Sequence, residues 1–279
     1  MPEPKIIIAT CQFPVSGSIK NNLSYIMEQM KIAKKNQAEI VHFSESSLSG
    51  YAGIDFQDYR QVDEKLLSQS LGKIRELAAQ LRIWIIVGGH FFEGRNRLPY
   101  NCLWIINNGG KIVHRYDKRF CTGKQGEEEH SYFKAGKKAV QFMFKGIKCG
   151  VLICHEWRYP ELYREQYRLG TEVLFQSWYD GNQSYNEYLK NGKDLGSLIT
   201  GTVRGHAANN RLWISASNTS RRESSFASFV VQPDGKIFNI SRRNTTMVLI
   251  SKIDLSHTFD DPSAQWRGRA MKGVLHSDI

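Results

Sequence analysis

The sequence has no stretch near the ~18 consecutive apolar residues that a membrane helix needs, and its start, MPEPKIIIATCQFP, has no basic leader followed by a long apolar run and a small-residue cleavage site. Export is not expected, and the cytoplasm is the default location. The five cysteines, at 11, 102, 121, 149 and 154, are odd in number and form no CxxC pair, which argues against a disulfide framework and a zinc site. The formal net charge is +11, yet no run of five or more basic residues occurs. A scattered positive surface does not suggest nucleic-acid binding. No low-complexity segment or Gly/Ser linker marks a boundary, so residues 1–279 read as one domain.

What is present is a repeated order of strands and helices. KIIIATC (5–11) and AEIVHFS (38–44) are apolar runs on either side of a segment whose Leu23, Ile26, Met27, Met30 and Ala33 recur at helical spacing. A second such helix, with Leu67, Leu71, Ile74, Leu77, Ala78 and Leu81, runs into IWIIVGG (83–89), a strand expected to be covered on both faces. NCLWIINNGGKIVHRYDK then reads as a hairpin, so the sheet is mixed. VQFMFKGIKCGVLIC reads as another, followed by a short helix from Pro160 to Gly170 and a strand at EVLFQSW. A helix near 195–210, the strand LWISASN, a hairpin on QPDGK and a last strand TMVLISKID complete the pattern. Residues from about 256 to 279 read as an irregular tail. The class is α/β.

Cys154 ends GVLIC just before the Pro160 helix, at the strand end where α/β sites open. Alone, a cysteine there reads as a small core hydrophobe. Glu45 directly follows an apolar strand in a Ser-rich loop, and Lys118 closes a hairpin strand. Alone, these read as a loop or cap charge and a surface lysine. Together, a thiol, a carboxylate and an ammonium at three strand ends are what thiol-dependent acyl transfer requires.

The segments FSESSLSGY, YDKRF, EEEHSYFKAG, GVLICHEWRYPELYR and SASNT…VVQPDGKIF, in that order from Lys5 to about residue 255, resemble the signature blocks of the nitrilase, or carbon-nitrogen hydrolase, superfamily. The resemblance implies a four-layer α-β-β-α sandwich of two mixed sheets packed face to face, with Glu45, Lys118 and Cys154 as its catalytic triad. Glu129 matches the second active-site glutamate, with Glu127 and Glu128 as rivals. YDKRF and EHSYFKAG are similar to the omega-amidase branch, which hydrolyses monoamides of small dicarboxylic acids. Ser44 stands where many members have Pro, and His155 and Glu156 replace residues frequent in amidases.

The reaction implied is hydrolysis of a non-peptide C–N bond in a small amide through a thioester on Cys154. It calls for no metal and no organic cofactor. The backbone N–H of His155 is expected to join Lys118 at the oxyanion. Trp178 and Tyr179 are expected to shape the substrate pocket or cap the core, and Arg158 to pair with a substrate carboxylate or with Glu161. On an extended strand the His155 side chain would point away from Cys154, so it is not expected to be the base. A nitrilase or an N-carbamoyl hydrolase on the same triad is the alternative, and a non-catalytic binding protein is another, suggested by His155 and Glu156. The family's habit implies a homodimer or higher oligomer, with the tail as an oligomerisation arm.

Overall fold

The computed structural model describes residues 5–94, 97–181 and 184–278. Twelve strands among them form two six-stranded sheets. The first holds β1 (Lys5–Gln12), β2 (Ile40–His42), β3 (Trp84–Phe91), β4 (Tyr100–Ile106), β5 (Ile112–Asp117) and β12 (Met247–Asp254). The second holds β6 (Gln141–Phe144), β7 (Ile147–Ile153), β8 (Val173–Ser177), β9 (Trp213–Ser217), β10 (Phe229–Val231) and β11 (Ile237–Ile240). The strand orders, β12-β1-β2-β3-β4-β5 and β6-β7-β8-β9-β10-β11, follow one plan. In each, an antiparallel edge strand precedes three parallel strands and an antiparallel pair.

Between the sheets Ile6, Ile8, Ile86, Leu103 and Ile105 share one core with Val151, Phe175 and Val230. On the outer face of the first sheet lie α1 (Ile19–Lys35) and α2 (Glu64–Leu81), through Ile26, Met30, Ile74 and Ala78. On that of the second lie α3 (Pro160–Arg168) and α4 (Tyr185–Asn210), through Leu162, Tyr163, Val203 and Ala207. The result is the four-layer α-β-β-α sandwich, in which β-strands buried on both faces explain runs such as IWIIVGG. Local signals start the helices. Ser18 and Asp63 accept N–H bonds from Asn21 and Leu66 as N-caps, and Pro160 occupies the first turn of α3.

Three expectations change. The helix near 195–210 begins ten residues earlier, at Tyr185, because Ser184 and Glu187 form a capping box. Strand β7 ends at Ile153, so Cys154 opens a 3-10 turn (Cys154–Arg158) instead of finishing the strand. The tail is not wholly irregular. It contains α5 (Ala264–Ala270) and folds back on its own chain, with Arg211 donating to the Phe259 carbonyl at 2.7 Å and Arg168 to that of Met271 at 2.9 Å.

A polar seam runs between the sheets toward the carboxyl ends of the parallel strands. His42 meets Ser215 through Nδ1 and Ser177 through Nε2, both at 2.9 Å, and Thr10 meets Ser215 at 2.8 Å. Burial lowers the His42 pKa to about 3, so the ring is a neutral pin between sheets. The seam holds in register the strand ends that carry Glu45 and Tyr179.

Candidate active site

Four short segments beyond strand ends converge. Glu45 lies in the turn after β2, where its N–H donates to the Trp178 carbonyl past β8, at 3.2 Å. A Cβ on Gly88 would lie 2.6 Å from the Ser44 carbonyl oxygen and the Ser46 nitrogen, so only glycine lets this turn lie flat on β3. Lys118 follows β5, with its N–H on the Asn101 carbonyl at 2.9 Å and its own carbonyl taking Gly136 N–H at 2.8 Å. A Cβ on Gly136 would sit 2.1 Å from the Asp117 carbonyl oxygen. Glu129 stands in a 3-10 turn (Glu128–Ser131), and Cys154 stands at φ +38°.

A non-glycine residue in that left-handed region costs ~1–3 kcal/mol and persists only where its surroundings hold it. Glu156 does the holding. Its Oε2 accepts Ile153 N–H at 2.7 Å, its Oε1 accepts Arg119 N–H at 2.8 Å, and Tyr116 OH donates to both oxygens at 2.7 and 2.8 Å. One buried carboxylate thereby ties the Cys154 turn to the residue after Lys118.

The Lys118 ammonium is buried between two carboxylates, 2.9 Å from Glu45 Oε1, 2.9 Å from Glu129 Oε1 and 2.7 Å from Glu129 Oε2. Asn101 Nδ2 donates to the same two Oε1 atoms, at 2.7 and 3.2 Å. Tyr179 N–H donates to Glu45 Oε2 at 3.0 Å, and Thr122 N–H to Glu129 Oε2 at 2.6 Å. Burial pushes the Glu45 carboxyl up, against the pull of Lys118. Burial also presses on Glu129, but Lys118, Thr122 N–H and Tyr51 outweigh it and hold that carboxyl below its usual range. Lys118 is desolvated, yet Glu129 and Glu45 raise it well above the usual lysine value, so it stays charged. Cys154 is half-buried, and its thiol is pushed well up by burial and then by Glu45, while Lys118 and Tyr179 N–H act the other way. The two carboxyls are thus pushed in opposite directions, Glu45 up and Glu129 down.

Glu127 and Glu128 are exposed, and only Glu129 of the three turns inward. His155 sits in a 3-10 turn rather than on an extended strand, so strand alternation does not turn its side chain away from Cys154. Its ring packs on Tyr159 at 5.9 Å, and burial and then Lys118 lower its pKa to about 4. Trp178 is buried between Trp157 and Phe226. Tyr179 stacks on Tyr51 at 4.5 Å, and its OH joins Asp55 and Arg221. Arg158 is exposed, its guanidinium 4.5 Å from the Trp157 ring centroid, and no ion pair with Glu161 forms among the described residues. Tyr51 and Glu129 also line a cavity of about 340 Å³ with Gly53, Thr122 and Tyr132. Sequence reasoning missed Asn101, Tyr51 and the tether made by Glu156. The signal for Asn101 was a lone amide inside YNCLWII.

The family model for carbon-nitrogen hydrolases matches residues 7–260. The chain belongs to the carbon-nitrogen hydrolase family. Among this hydrolase's curated relatives is the hydrolase in agr operon of Staphylococcus aureus, 26% identical over 163 residues, 58% of this chain and 60% of that protein. Omega-amidase NIT2 of Mus musculus is 27% identical over 257 residues, covering 89% of this chain and 88% of its own. The chain thus spans less than two thirds of some relatives and most of others. An amidase from Nesterenkonia sp. has the same fold, at TM-score 0.77 and 16% identity over 97% of this chain and 96% of that one. A mutant of that amidase (TM-score 0.75, 15% identity, 90% of each chain) carries the acetamide moiety of fluoroacetamide covalently on its active-site cysteine.

Proposed function

We propose that this carbon-nitrogen hydrolase is an amidase that cleaves the C–N bond of a small amide through a thioester on Cys154. The observation that carries the reading is the buried ammonium of Lys118, bridged to Glu45 and Glu129 within 2.9 Å, beside a thiol on a strained turn. A desolvated cluster of this kind costs several kcal/mol of hydration per ion, roughly, and has no use in a plain core.

Glu45 takes the thiol proton as Sγ bonds to the amide carbon. Charge moves to the carbonyl oxygen, where Lys118 Nζ and the His155 N–H, early in its turn, stabilise it by roughly 3–4 kcal/mol per well-aimed donor. Glu45 returns the proton to the nitrogen as the C–N bond breaks, releasing ammonia or an amine. It then draws a proton from water, whose oxygen attacks the thioester carbon. The acid leaves and the thiol is restored. Glu129 keeps Lys118 in place and Arg158 favours acyl groups that end in a carboxylate, in line with the omega-amidase among the relatives.

The test is a panel of small amides, nitriles and carbamoyl compounds scored by ammonia release. Amides should be the best substrates, and Cys154→Ala should release nothing above the blank. Full activity in Cys154→Ala would overturn the reading, and nitriles outrunning amides would replace it with the nitrilase alternative.

A further inference from the structure

Asn101 is buried on β4 and touches three parts of the cluster at once. Its carbonyl accepts Lys118 N–H at 2.9 Å, and its Nδ2 donates to Glu45 Oε1 at 2.7 Å and to Glu129 Oε1 at 3.2 Å. The amide cannot be turned over, because Oδ1 would then face two carboxylate oxygens that only accept. Its Oδ1 points away and has no partner among the described residues. Opposite it on β3 stands His90, on the same face of the sheet. Burial lowers the His90 pKa to about 3, so it brings no charge to the cluster.

The two oxygens of Glu45 are therefore used differently. Oε1 is held by Lys118 and Asn101, whereas Oε2 accepts the Tyr179 N–H, a group close enough to Cys154 to pull its thiol pKa down. Oε2, free of Lys118 and Asn101, is the oxygen left to take the thiol proton. Lys118 is a compact charge on a flexible stem and must also serve the oxyanion. When it leans there, something else must keep Glu45 from following.

We propose that Asn101 is a positioning residue for Glu45, gripping Oε1 so that Oε2 faces Cys154 while Lys118 moves its hydrogen bonding to the oxyanion. This rests on the reading of Glu45 and Cys154 given above. The ionisable groups around the amide are Glu45, Glu129, Lys118, Cys154, Tyr51 and His90. Loss of the Nδ2 donor makes Glu45 easier to protonate, and the sign of that change distinguishes positioning from simple packing.

Asn101→Leu keeps the branching of the side chain and removes the donor. It should slow Cys154 acylation roughly ten- to hundredfold, the range for a hydrogen bond to a charged group, with KM nearly unchanged. The pH profile of Cys154 alkylation by iodoacetamide, which needs no substrate, should move its acid limb up by roughly one unit. Asn101→Asp preserves the shape if Leu fails to fold, and should move the limb further, since it adds an acceptor among acceptors. An unmoved limb in a folded variant, or a lower melting temperature as the sole change, would overturn the proposal. If the unmodified protein hydrolyses no amide, the functional reading fails while the alkylation profiles still decide the role of Asn101.

Discussion

Two fully buried glutamates flank Cys154, and their partners differ in kind. Glu45 faces the Lys118 ammonium, an amide and one backbone N–H. Glu156 faces a phenol and two backbone N–H groups, and no cation bonds to it among the described residues. Burial raises both carboxyls. The fixed donors around Glu156 point at both oxygens and leave it nothing to do but hold the Cys154 turn. Glu45 is held in part by Lys118, which in the mechanism proposed above also serves the oxyanion, so in that reading the charge of Glu45 can change during turnover. On that proposal, burial alone does not mark a reactive acid; the kind of group that compensates it does.

The largest expected effect is at Glu45. Glu45→Gln cannot accept the thiol proton, and kcat should fall roughly 10²- to 10⁴-fold, with a stability loss of roughly 1–3 kcal/mol besides, because the new NH2 must face the Tyr179 N–H or the Lys118 and Asn101 donors. In the unmodified protein the base must be ionised, so activity should fall as pH drops through its pKa. That pKa is raised, so the acid limb of kcat/KM should lie above the ordinary carboxylate range. A limb at or below that range would remove Glu45 as the base.

Glu156→Gln should lose comparable stability but far less activity. The new NH2 must face either Ile153 N–H or Arg119 N–H, and a donor against a donor costs roughly 1–3 kcal/mol of stability. Thermal unfolding should report that loss, while kcat should fall less than in Glu45→Gln, because the thiol and its base are intact. A variant as stable as the original but inactive would assign Glu156 to the chemistry and dissolve the contrast.

Most of the sandwich was legible because doubly covered strands and amphipathic helices leave periodic patterns, as in IWIIVGG and the α2 stripe. The first half of α4 was not. Leu189 is exposed there and Gly192 interrupts it, so no apolar face announces a helix. Glu45, Lys118 and Cys154 were legible as strand-end residues in ordered blocks. The tether made by Glu156 was invisible, since Arg119 N–H and Ile153 N–H are backbone groups that any residue would supply. Asn101 was hidden for a related reason: its partners come from the turn after β2 and from a 3-10 turn 28 residues downstream, and spacing along β4 says nothing of either.

The smallest effect is expected at Arg158, outside both glutamate environments. Its guanidinium rests on Trp157 rather than on an acid, and a half-exposed cation–π contact is worth about 0.5–1 kcal/mol, so Arg158→Ala should unfold at nearly the same temperature. Neutral small amides should keep their kcat and KM. Amides whose acyl group ends in a carboxylate should show KM raised by a few-fold, about fivefold at most, as for an ion pair in contact with water. High salt should weaken binding of the same anionic amides to the unmodified protein, since screening acts on the exposed charge and not on the buried Glu45–Lys118–Glu129 cluster. Equal kinetics for neutral and anionic amides in Arg158→Ala would remove this arginine from substrate choice and leave its stack on Trp157 as its whole role.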